Sequence, residues 1–210
     1  MLAKFLDRWC QLPASDLSDH GSTCCQTAKA WLVAMDRSLH SGDTVDCPPT
    51  WIRVRFQWGP SRWPLFWCEA MRSEELDCGA IAAIARHVFG ARRVLAITCQ
   101  LVRRHSPQHV ATWRERWIRA GCSADWASGD LTYHEGCAIL TSGQLAIWDP
   151  TANAWLDPDA RTGDGQLLAF RVGSGGCAAQ LHAAGWGPFH VPLGCWVGIE
   201  GHNPPEAIPI

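Results

Sequence analysis

The sequence predicts an α+β fold, and three observations carry that reading. Apolar residues recur at helical spacing through much of the N-terminal half, while alternating or β-branched runs take over after about residue 130. The 210 residues, 47% hydrophobic and 18% charged, are enough for one filled core. Neither an internal repeat nor a low-complexity linker divides the chain, so a single domain spanning 1–210 is expected.

Two amphipathic helices are predicted first. "MLAKFLDRWCQL" sets Leu2, Phe5, Leu6 and Trp9 on one face, and "TCCQTAKAWLVAMDRSLH" does the same with Ala28, Trp31, Leu32, Met35 and Leu39. "TVDCPPTWIRVRFQWGPSRWP" alternates Ile52, Val54 and Phe56 against Trp51, Arg53, Arg55 and Gln57, which predicts a strand that breaks at Gly59 and Pro60. In "SEELDCGAIAAIARHVF" polar Ser73, Glu75 and Asp77 precede an alanine-rich run that stops at Gly90, predicting a helix with Cys78 in its first turn. "RRVLAITCQLVRR" has the density of a buried strand, and "ATWRERWIRA" at 111–120 predicts a short helix or a loop with helical turns. "LTYHEGCAIL", the turn "TSGQ" and "LAIWDPT" together predict an antiparallel hairpin, and "LLAFRV" and "CWVGI" add strands in a glycine- and proline-rich C-terminal third.

Bulk properties exclude several functions. A net charge of −2, with "LVRRHS" as the densest basic stretch, offers no footprint for nucleic acid. No run approaches the roughly 20 apolar residues of a bilayer span, so no membrane partner is expected. Eleven cysteines, an odd number, contain no CxxC pair and follow no secretory leader, which points to a reducing, cytoplasmic setting and away from zinc ribbons and thioredoxin-type motifs. A metal set from His105, His109 and Cys99 is disfavoured by Pro107, and the "GDG" and "GSGG" stretches lack a phosphate-binding lysine. Neither a metal nor a cofactor is expected.

The chemistry centres on Cys78. A helix N-terminus offers partial positive charge and free N–H groups that favour a thiolate and can hold an oxyanion. Asp77 beside it works the other way unless its carboxylate turns to cap the helix. A cysteine nucleophile needs an imidazole base and a group to orient it, and His134 and Asp149, on consecutive predicted strands, are placed to pair across the hairpin if the register allows. Glu135, next in the strand, should face the other way as a solvated or structural residue.

Through "DCGAIAAIA", "YHEGCAIL" and "LAIWDPT", residues 50–158 resemble the transglutaminase-like branch of the papain-like cysteine enzymes. The chain lacks the arginine- and glycine-rich lead of the arylamine acetyltransferases and the calcium-binding insertions of animal transglutaminases. The resemblance implies a papain-like fold, with a nucleophile helix packed on an antiparallel sheet. It also implies acyl transfer or hydrolysis through a thioester, with Cys78, His134 and Asp149 as the triad and a peptide, protein or small-molecule acyl donor as partner. Such enzymes often add an oxyanion donor upstream of the cysteine, for which Gln57 and Trp63 are candidates, and Trp58 and Trp67 are candidates for substrate binding. The competing expectation is a non-catalytic accessory protein that uses the aromatic "QWGPSRWPLFW" surface to hold a peptide or partner.

Overall fold

Helical and β periodicities separate along the chain much as the composition implies. The structure, a computed structural model, describes residues 2–10, 15–39, 47–142, 144–156, 164–173, 178–183, 187–199 and 206–208. The helices are α1 (Leu2–Cys10), α2 (Thr23–Leu39), α3 (Trp51–Arg55), α4 (Trp67–Ala70), α5 (Cys78–Ala91) and α6 (Pro107–Arg119). The strands are β1 (Gln57–Trp58), β2 (Glu75–Leu76), β3 (Leu95–Arg104), β4 (Ala127–Ser128), β5 (Leu131–Thr141), β6 (Gln144–Asp149), β7 (Ala154–Trp155), β8 (Gln166–Val172), β9 (Ala178–Ala183), β10 (Gly187–Pro192), β11 (Trp196–Gly198) and β12 (Glu206–Ala207). Of the glycine-rich stretches, most of "GSGG" and part of "GDG" fall outside the described residues, as does Gly143 of the hairpin turn.

Ten strands form one α+β sheet in the order β10-β9-β6-β5-β3-β8-β11-β12, with β4 beside β5 and β7 beside β6. All its pairings are antiparallel except β6 with β9, and the sheet curls into a nearly closed barrel. The alternation of β5 distributes its side chains between two cores. Ala138 joins Leu101, Ile147 and Phe170 inside the barrel, whereas Cys137 and Ile139 lie on the other face beneath α5. Further along that outer face, Leu131 and Tyr133 pack with Phe5 and Leu6 of α1. Helix α5 is apolar nearly all round because it is covered on both sides, by the sheet and by α2.

Three expectations are corrected. Residues 51–55 form a short helix after Pro48 and Pro49, not a strand. Ile52 and Phe56, which alternation would align with Val54, also satisfy i, i+4 spacing; both are buried, while Val54 is 85% exposed. The buried line of α2 is Cys25, Ala28, Leu32 and Asp36, rotated from the expected face, and leaves Trp31 and Leu39 exposed. The rotation is set by Asp36, which accepts hydrogen bonds from Arg92 at 2.6 and 2.5 Å and from the Trp51 indole at 2.9 Å. Helix α5 continues past Gly90 to Ala91, and the left-handed residue beyond its end is Arg93.

Candidate functional site

Asp77 starts the site by starting the helix. Its backbone N–H donates to Ser61 Oγ at 2.8 Å, and its Oδ1 accepts from Ala80 N at 2.9 Å, an N-cap that occupies one of the orphan donors of the first turn. Oδ2 accepts from the Trp63 indole at 2.5 Å. Burial pushes the Asp77 carboxyl up to about 6 against the pull of these donors. Cys78 is therefore the first helical residue, and its own N–H has no partner among the described residues.

The thiol meets the sheet at an interruption in the edge of β5. Strand β4 covers that edge at Leu131 and Thr132, and β6 covers it from Cys137 onward. Between them the Tyr133 N–H donates to Trp126 O at 2.7 Å, and the next N–H directed to the same edge, that of Glu135, favours the Cys78 thiolate. That help is outweighed. Burial first, then the charges of Asp77 and Glu135, raise the Cys78 thiol well above the ordinary range, so at rest it is protonated.

His134 and Asp149 meet from neighbouring strands: His134 Nε2 lies 2.9 Å from Asp149 Oδ2. Arg103 Nη2 donates to the same oxygen at 3.0 Å, while Oδ1 accepts the backbone N–H groups of Thr151 and Ala152 at 2.9 and 3.1 Å. Burial alone would raise this carboxyl, but His134, Arg103 and the Ala152 N–H together hold it at about 2. Asp149 is thus ionised at neutral pH, 4% exposed, and its Oδ2 is placed to accept a proton carried on His134 Nε2, an arrangement that leaves Nδ1 for other partners. No thiol–imidazole hydrogen bond joins Cys78 to His134 among the described residues, although both line one cavity of about 620 Å³.

The lining of that cavity is mixed in character. Part of it is an indole wall: Trp58 lies 4.7 Å from Trp117, 5.4 Å from Trp113 and 6.2 Å from Trp126, measured between ring centroids. Arg103, Thr132, His134 and Thr151 also line it. Of the remaining candidates, Trp58 belongs to the indole wall, and Trp63 borders the cavity but gives its N–H to Asp77 instead of an oxyanion. Gln57 is exposed and does not line the cavity, because along β1 it points to the side opposite Trp58, which does. Trp67 is buried among core residues with its ring 5.1 Å from His87, away from the cavity.

Several lining residues gave little sequence signal. Glu135 does face away from His134, yet it is 1% exposed, not solvated: Oε1 accepts from Ser15 N at 3.1 Å, Ser15 Oγ at 2.9 Å and Tyr133 Oη at 2.6 Å, and Oε2 has no partner among the described residues. Ser15 arrives from a segment 120 residues away and packs so closely on α5 that a Cβ added at Gly79 would lie 2.5 Å from its own. Arg103 belongs to the basic stretch at 101–106, whose alternation along a strand could have shown that it faces the His134 side. His105 and His109 both reach Asp164, at 3.7 and 2.7 Å, and Cys99 is buried in the barrel core apart from them.

Comparison of the chain with models of known protein families, with curated protein sequences and with solved structures finds no match in any of the three. No described helix is long and apolar enough to cross a membrane.

Proposed function

We propose that the protein is a cysteine-dependent acyl-transfer enzyme or hydrolase of transglutaminase-like, papain-like type, acting on an amide, ester or thioester carbonyl. The observation that carries the reading is the bonded His134–Asp149 pair opening into the same cavity as the N-terminal residue of α5, Cys78. The Cys78 thiol attacks the carbonyl as His134 Nδ1 takes its proton. The thioester forms, the leaving group departs with that proton, and water or an amine then regenerates the thiol. Asp149 stabilises imidazolium without accepting the proton, since its carboxyl is held far below neutrality. The Cys78 N–H, unpartnered among the described residues, is the first donor for the developing oxyanion. The indole wall suits an apolar or aromatic acyl group.

The test is incubation with an activated aryl ester followed by intact-mass analysis after acid quench. One acyl adduct on Cys78, lost in Cys78→Ser and slowed by at least about a hundredfold in folded His134→Ala, is expected from the contribution of general base catalysis. The raised, carboxylate-flanked thiol supports a second reading, an accessory protein whose cavity binds without reacting. Binding of aryl compounds with no adduct at Cys78, under conditions where a free thiol reacts, would favour it.

A further inference from the structure

On the far side of α5 from the barrel, three residues from two separate segments converge. His20 lies just before α2, Cys25 in the first turn of that helix, and Cys68 in α4. One potential ligand atom from each lies within 4.8 Å of the others. Nε2 of His20 is 3.6 Å from Cys25 Sγ and 3.5 Å from Cys68 Sγ. A tetrahedral zinc ion with Zn–S of about 2.3 Å and Zn–N of about 2.0–2.1 Å separates nitrogen and sulfur ligands by about 3.5 Å and two sulfurs by about 3.8 Å, so both nitrogen–sulfur separations already match and the two sulfurs, within 4.8 Å of each other, would close by no more than about 1 Å around the ion.

The surroundings suit a metal thiolate. The imidazole is steadied by Phe66, 4.8 Å between ring centroids, and His20 is exposed, which gives an ion a route in. Two thiolates neutralise a divalent cation, so the half-buried site carries no net charge. Cys24, next in the chain, holds its sulfur 3.6 Å from Arg72 Nη2, and a third thiolate there would have its counter-charge in place.

We propose that His20, Cys25 and Cys68 form a site for a thiophilic divalent metal, zinc in the first instance, with the fourth position open to Cys24 or water. Binding releases the two thiol protons to solvent and leaves the redox state unchanged. The ion would clamp the segment at residues 18–25 to the 65–68 segment, already joined by Ser18 N to Leu65 O at 2.8 Å and Trp67 N to Ser18 O at 3.2 Å. This site is distinct from the Cys78 cavity, and its existence does not depend on acyl transfer.

The experiment is titration of the reduced, chelator-treated full chain with Co²⁺, read by absorbance. One equivalent is expected to produce thiolate-to-cobalt charge transfer with tetrahedral ligand-field bands, and Zn²⁺ should displace it. Cys25→Ser, Cys68→Ser and His20→Ala should each weaken binding by at least about tenfold, no less than loss of an outer-shell partner does, while Cys47→Ser leaves it unchanged. Absence of a stoichiometric charge-transfer band overturns the proposal, as does a band surviving in the Cys25→Ser/Cys68→Ser double variant. Because the serine variants replace buried thiols, His20→Ala supplies the decisive arm: folded by circular dichroism with unchanged Co²⁺ affinity, it overturns the proposal on its own.

Discussion

Asp77 has two roles at once: it caps α5 and, by its charge, opposes ionisation of the next side chain. Asp77→Asn keeps an acceptor for the Ala80 N–H but removes the charge. The pH dependence of Cys78 alkylation, followed by peptide mapping with a small electrophile, should therefore shift to lower pH, and an unshifted profile would show that the Asp77 charge does not reach the thiol. Asp149→Asn is expected to act in the opposite sense. An amide can hold the imidazole in the wrong tautomer and cannot support imidazolium, so single-turnover acylation should fall by orders of magnitude while binding of the aryl ester changes little. Equal losses in both would assign Asp149 to shaping the cavity. The sequence revealed the three residue types and their order because helix starts and hairpins are local patterns. It could not reveal that Glu135 is buried, since Ser15 and Tyr133 satisfy it through contacts that no local window contains.

Between elements, the decisive contacts are few and tight. Gly79→Ala places a methyl where Ser15 already sits, and Ser15 cannot retreat without releasing Glu135. A loss of about 1–3 kcal/mol in denaturant-induced unfolding is expected from this overpacking, together with altered Cys78 reactivity. Asp36 joins α2 to Arg92, just past the end of α5, and to Trp51 of α3. Asp36→Ala strands the Arg92 guanidinium in the core, and should cost about 3–5 kcal/mol by the same measurement; a loss under about 1 kcal/mol would show that water reaches Arg92. Strands β3, β5, β6, β8 and β11 were legible because β-branched and apolar runs have few alternatives at that length. Residues 51–55 misled because the buried Ile52 and Phe56, four positions apart, satisfy alternation and helical spacing equally well.

For the molecule as a whole, acid is the informative stress. The Asp149 carboxyl sits at about 2 when folded and about 3.9 when unfolded, so its contribution is present above about pH 4 and is lost as pH falls through about 2. The linkage amounts to about 2.6 kcal/mol. Asp77 has the opposite sign: its raised carboxyl favours the fold most below about pH 4, and that benefit is lost as pH rises through about 6. Urea titrations of wild type and Asp149→Asn between pH 2 and about 5 should converge at the acid end and diverge toward neutrality; parallel curves would place the Asp149 interactions in the unfolded chain as well.

The four indoles of the cavity wall, with centroids as close as 4.7 and 5.1 Å, form a coupled set of chromophores lining the candidate site. Their transitions are near enough in space to mix, so a guest that slips among them or tilts one ring alters the near-ultraviolet circular dichroism. Occupancy is thereby reported optically, with no need for turnover. Even Cys78→Ser retains that signal, which allows molecules to be sorted as guests before any is shown to react.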